Sequence, residues 1–249
     1  MSSNIWTRCE GRSRVGTLAG EAWRVVESQH LFSTRVLVDS DAEHQVLEEL
    51  IEGHKPRGQS RLHFLLATPF RYPPLPHGSR FGTRSERGIW YGSEEQRTAF
   101  AEAAYYRLLF LEGTAAALSP LMVEVSAFRA GFKTERGVDL TRPPFDEHRG
   151  RISSPVAYEA SQRLGRDMRG DGVEAFRFRS ARDREGGANL AFFTPGPFGS
   201  RKPSVPETWN CVATPRDVEF VKKDVFRRAA FLFPRTDFEV QTRLPAPAF

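Results

Sequence analysis

The chain has 249 residues, a formal net charge of +5 and 39% hydrophobic residues, enough apolar material to fill the core of one large domain, 1–249. No apolar run approaches the roughly 18 residues of a spanning helix, and charge is mixed through MSSNIWTRCEGRSRVGTLAG, so a cytoplasmic protein without a membrane partner is expected. With Cys9 and Cys211 the only cysteines, neither a disulfide framework nor a cysteine zinc cluster can be built within the chain.

A pI near 9.5 raises the question of nucleic acid, since clustered Lys and Arg neutralise phosphates. The distribution argues otherwise. Lys is scarce (Lys55, Lys133, Lys202, Lys222 and Lys223), and the arginines are scattered among acids without a basic tract. Arginine in excess suits bidentate recognition of a small phosphorylated ligand or an acidic partner.

In chain order, residues 1–20 are expected to be loosely held. AWRVV and STRVLV read as short strands, with Arg24 inside the first. DSDAEHQVLEELIE (39–52) reads as a helix with Val46, Leu47, Leu50 and Ile51 on one stripe, ended by Gly53 and Pro56. RLHFLLATPF alternates like a strand until Pro69, and the proline-rich RYPPLPHGSR is a loop that delivers the chain to Arg80. RGIWYG is a short aromatic strand, and Ser93 with Gln96 matches a capping box opening a helix.

Along that helix Phe100, Ala104, Leu108 and Leu111 recur at core spacing. Glu102 lies about 200° from Phe100 at ~100° per residue, on the exposed side with Tyr105 and Tyr106. PLMVEVSAF is a further strand, and 134–151 a charged, proline-bearing surface loop. Ser154 and Pro155 open a helix that Gly170 closes. VEAFRFRSAR, GGANLAFFT, DVEFVKKDVF and AAFLFP supply strands, and the end, 243–249, is expected to be loose. These strands alternate inside to outside and are not the continuous apolar runs of a doubly wound parallel sheet, so a mixed, mainly antiparallel α+β domain with flanking helices is expected.

No GxGxxG follows a strand, and GxxxxGK[ST], HExxH and GxSxG are absent, so the Rossmann, P-loop, zincin and α/β-hydrolase readings lack their defining residues. What remains is an arginine after a glycine turn, a Trp-Tyr strand and a helical glutamate. Arg80, Tyr91 and Glu102 are spaced 11 residues apart. Taken singly, Glu102 would be a solvated charge or the partner of Tyr106 or Arg107, Arg80 a surface residue, Tyr91 strand core and Ser180 a turn cap.

Their joint order resembles the RES domain family, named for its Arg, Glu and Ser positions. The matching pieces are AWRVV with Arg24, GSRFG with Arg80, GIWYGSEE with Tyr91, TAFAE with Glu102 and FRSAR with Ser180, followed by GGANLAFF and WNCVATP, over about Trp23 to Asp217. About 50 residues separate AWRVV from GSRFG, so the chain looks like an extended branch of the family.

The resemblance implies an ADP-ribosyltransferase-like core that cleaves the nicotinamide–ribose bond of NAD by hydrolysis or phosphorolysis, as the toxin of a bacterial toxin–antitoxin pair. It implies NAD as substrate, inorganic phosphate as an optional co-substrate, no resident cofactor or metal, and a cognate antitoxin as partner, and it leaves room for a homo-oligomer. Glu102, Arg80 and Ser180 are the implied catalytic residues, and Arg24 and Tyr91 the implied substrate-binding ones. In chemical terms, an oxocarbenium-like ribose needs a carboxylate, a diphosphate needs cations and a nicotinamide ring needs an aromatic face. Arg71, Arg182 and Asn189 are further candidates to face the pocket. Alternatives are transfer of ADP-ribose to a macromolecule and a basic nucleic-acid-binding or ribonuclease-type toxin.

Overall fold

The computed structural model describes residues 4–28, 40, 43, 46, 62–71, 78–114, 120–224 and 226–246. The helix expected over 39–52, the STRVLV strand and most of the proline-rich loop lie outside the described residues. Eight strands form one sheet: β1 (Gly16–Glu27), β2 (Trp90–Ser93), β3 (Leu121–Asp139), β4 (Ala175–Arg179), β5 (Ala188–Phe192), β6 (Glu207–Ala213), β7 (Asp217–Lys222) and β8 (Ala230–Pro234). Their order is β1-β2-β5-β4-β3-β6-β7-β8, and only the β3–β4 pairing is parallel. The mixed, mainly antiparallel α+β architecture is therefore as expected.

A second pairing of β1 with β3, from Gly16↔Gly137 to Glu27↔Val125, makes the pairings of β1, β2, β5, β4 and β3 return on themselves. That ring leaves β6, β7 and β8 as an extension from the far side of β3. Helix α1 (Ile5–Arg8), α2 (Phe64–Arg71), α3 (Gln96–Gly113), α4 (Arg149–Ile152) and α5 (Glu159–Gly170) pack around it.

Three apolar clusters hold these layers. Phe100, Ala104 and Leu108 of α3 pack on Trp209, Phe220 and Phe233 of the β6–β8 extension, the stripe expected of that helix. Phe176 and Phe178 of β4 meet Phe81, Leu164 and Met168, which binds α5 to the turn carrying Arg80. That contact is close enough that a Cβ at Gly165 would collide with the Phe81 carbonyl. Trp90, Phe128, Leu190 and Phe192 form the third cluster, with Leu65 and Leu66.

Several expectations are corrected. Phe64–Arg71 is a helix, not a strand. A short apolar run fits either period, and here packing of Leu65, Leu66 and Ala67 decides. Residues 4–20 are packed rather than loose: Ile5, Trp6 and Cys9 are buried and Trp6 Nε1 donates to Asp171 Oδ2 at 2.6 Å. At the other end Leu244 is buried and Tyr105 donates to the Pro245 carbonyl. Residues 134–139 continue β3, so the expected loop is shorter.

The capping box does not form. Ser93 ends β2, its hydroxyl bonding Asn189, while Gln96 Nε2 donates to Glu207 at 2.7 Å. Helix α5 starts at Glu159 rather than at Ser154, whose Oγ instead accepts from the Val156 and Ala157 amides in a preceding turn.

Candidate active site

A cleft of about 300 Å³ opens where β1, β2 and β5 meet α3, lined by Arg24, Arg80, Tyr91, Glu102, Tyr158 and Asn189, among others. Its floor is set by register. Trp23 of β1 lies opposite Ser93 of β2, and Ser93 opposite Asn189 of β5, which brings three strands distant in sequence to one level. Glu102, in the second turn of α3, sits above them.

Glu102 is half-buried rather than solvated, contrary to its expected place on the exposed face. Its Oε1 accepts from Ser180 Oγ at 2.7 Å and from Asn189 Nδ2 at 2.6 Å. Ser180 Oγ in turn accepts from the amides of Arg182 and Asp183, both at 3.0 Å, so its one proton is committed to Glu102. Asn189 is oriented by Ser93, whose hydroxyl donates to Asn189 Oδ1 at 2.7 Å and leaves the amide nitrogen to face the carboxylate. Ser93, Ser180 and Asn189 are all 5% exposed or less, so these bonds work without competition from water. Among the described residues, Glu102 Oε2 receives no hydrogen bond and no cation. Arg107, one of its ordinary partners by sequence, pairs with Glu27 instead.

The two cleft arginines are held without counter-ions. Arg24 is half-buried overall with its Nε enclosed and unpartnered; Nη1 donates to the Tyr91 carbonyl at 2.6 Å and the guanidinium lies 5.3 Å from the Trp90 ring centre. Burial lowers its pKa to about 10, still a cation at neutral pH. Arg80, 9% exposed, donates through Nη1 to the Ser154 carbonyl at 2.7 Å and stacks 4.7 Å from the Tyr158 ring centre. Neither has a carboxylate partner among the described residues. Cations buried in this way are poised to take an anion.

The turn carrying Arg80 is built by Gly78, whose φ of +76° and contact with Gly82 O leave no room for a Cβ. It is clamped by Tyr91, whose hydroxyl bonds Ser79 Oγ at 2.9 Å and accepts from the Phe81 amide at 3.2 Å, the residues on either side of Arg80. Burial raises the Tyr91 hydroxyl to about 12. The residue expected to contact the substrate thus also fixes the arginine.

The family model of the RES domain matches residues 56–214, more than half of the chain. The chain belongs to the RES domain family. No curated protein sequence matches it.

Four of the five residues singled out in the sequence, Arg24, Arg80, Tyr91 and Glu102, line the cleft of this RES domain. Ser180 does not. At 3% exposure it lies behind Glu102, so the expectation that it contacts the substrate is replaced by a contact with the carboxylate. Arg24 precedes the matched span, and its place in the cleft rests on the β1 register. Asn189, left as a secondary candidate, is in the cleft, whereas Arg182 is buried against the Tyr105 ring at 3.6 Å and the Pro155 carbonyl. Tyr158 carries no sequence signal, and Ser93 reads in the sequence as a helix cap rather than as a partner of Asn189. The only sequence signal for Asn189 was an amide within the apolar run ANLAFF. Among the described residues no group of His, Cys, Asp and Glu is disposed to hold a metal ion, and no helix is long and apolar enough to cross a membrane.

Proposed function

We propose that this RES domain cleaves NAD at its nicotinamide–ribose bond, as the toxin of a toxin–antitoxin pair on an ADP-ribosyltransferase-like core. The observation that carries the reading is Glu102: one carboxylate oxygen is pinned by Ser180 and Asn189, while the other is left over a cleft walled by two unpaired guanidinium groups.

In this reading Glu102 Oε2 accepts from a ribose hydroxyl and stabilises the charge that develops on the sugar. The C1′–N bond breaks with its electron pair passing to the pyridinium nitrogen. Nicotinamide thus departs neutral, without a general acid. Arg24 and Arg80 hold the diphosphate through the N–H groups their carbonyl contacts leave over. Tyr158 offers an aromatic face to the nicotinamide. Water attacking C1′ gives ADP-ribose and a proton; inorganic phosphate attacking there gives ADP-ribose phosphorylated on that same carbon.

The test is product analysis. Purified protein is incubated with NAD, with and without inorganic phosphate, and the products are separated by chromatography. Nicotinamide with ADP-ribose identifies a glycohydrolase, and a phosphorylated ADP-ribose formed only with phosphate identifies a phosphorylase. Label from NAD appearing on a macromolecule would favour transfer instead, and intact NAD in both tubes would sink the reading.

A further inference from the structure

The cleft is small for a whole dinucleotide. At about 300 Å³ it stands at the lower end of the ~300–1,000 Å³ usual for small-molecule sites, room for a nicotinamide riboside and little more. It does not end blindly. Val25, Ala103 and Tyr106 are shared with a second groove of about 530 Å³, whose walls are Val26, Phe110, Leu121 and Val123, with the Glu27–Arg107 ion pair alongside.

Helix α3 gives this continuity a scale. Glu102, Tyr106 and Phe110 are four residues apart, on successive turns of one face. At 1.5 Å per residue the carboxylate and the Phe110 ring are carried by backbone about 12 Å apart, with Tyr106 midway. Tyr106 and Phe110 are 55% and 51% exposed, an unusual state for two neighbouring aromatics on a helix whose other face is core.

We propose that this groove is the adenosine subsite of the same active centre, with Tyr106 and Phe110 as the stacking surface for the adenine ring. The assignment rests on the NAD reading of the cleft. A nicotinamide riboside that fills the cleft leaves the second nucleoside to extend beyond it, and Val25, Ala103 and Tyr106 join the cleft to the groove. An apolar wall with two open aromatic rings suits a purine base rather than another charged group. The Glu27–Arg107 pair supplies the polar edge that an exocyclic amine or ring nitrogen can meet.

The test uses adenosine diphosphate, which lacks the nicotinamide riboside and probes the groove without turnover. Its dissociation constant is measured by calorimetry for the wild type, Phe110→Ser and Phe110→Trp, beside the KM and kcat for NAD. Phe110 is half exposed, so neither variant disturbs the core. Phe110→Ser is expected to weaken ADP binding about tenfold and to raise the NAD KM by a similar factor, with kcat changed about twofold at most; Phe110→Trp retains both. Cleavage of NAD by a wild type that binds no ADP, or wild-type ADP binding and KM in Phe110→Ser, overturns the adenosine subsite and leaves the cleavage reading standing. A wild type that leaves NAD intact overturns the cleavage reading, and the subsite with it.

Discussion

Two sets of arginines in this RES domain contrast, although Arg136, Arg169, Arg179 and Arg182 also meet carbonyl oxygens or rings outside the cleft. On the flanks, Arg97 meets Asp183 and lies 3.0 Å from Glu185, Arg107 meets Glu27, and Arg177 lies between Glu94 and Asp139. In the cleft, Arg24 and Arg80 meet, among the described residues, only carbonyl oxygens and aromatic rings, while Glu102 takes its hydrogen bonds from a hydroxyl and an amide. The two settings teach different things. A paired arginine has its charge spent within the protein. The cleft keeps one carboxylate and two guanidinium groups apart, each oriented by neutral partners, so that both signs stay available, as the proposed cleavage of NAD requires.

The largest expected effect comes from removing the free carboxylate. Glu102→Gln keeps an oxygen that can accept from Ser180 and Asn189, so the fold should survive, while NAD cleavage falls by about 10²–10³-fold in kcat. Steady-state nicotinamide release and a thermal melt measure the two halves. Next comes Arg80→Ala, which removes one charge-assisted contact worth ~1.5–3 kcal/mol, so NAD should bind about 10–150-fold more weakly in a calorimetric titration. Ser180→Ala takes the hydroxyl donor from Glu102 and also leaves the Arg182 and Asp183 amides without their acceptor, so some loss of stability accompanies its effect on the site. It should lower kcat about tenfold while moving KM less than about twofold, and with Asn189→Ala it should be non-additive, since both bonds serve one oxygen.

The smallest effects separate the two arginine populations by stability. Arg97→Met leaves Asp183, whose side chain is fully enclosed, without its cation, and should cost on the order of 2 kcal/mol, a fall of roughly 5 °C in melting midpoint. Arg24→Met removes a desolvated cation that has no counter-ion among the described residues and should raise the midpoint by roughly 3 °C, at the expense of NAD affinity. Equal losses of stability in both variants would erase the distinction between the populations.

Much of the site could be read in the sequence because each of its parts stands in a short local pattern. Gly78 ahead of Arg80, the Trp-Tyr strand, and the glutamate on the following helix are all local features. What escaped notice joins residues through strand register. Ser93 and Asn189 are 96 residues apart yet lie opposite each other, and no local pattern announces it. Tyr158, in a turn before α5, likewise reaches Arg80 only in the folded chain. The helix at Phe64–Arg71 is not legible in the sequence, because eight residues with consecutive leucines satisfy both periods and a packing partner outside the segment decides between them. The helical wheel puts Glu102 on the solvent side of its helix, because it cannot show that β2 and β5 arrive there.

The most direct test of the account is nicotinamide release from NAD by wild-type protein and by Glu102→Gln, prepared alike and compared after both are found folded. The account predicts steady release by the wild type and at least a ~100-fold slower rate in the variant. Equal rates would remove Glu102 from the chemistry, and no release by the wild type would contradict NAD cleavage itself.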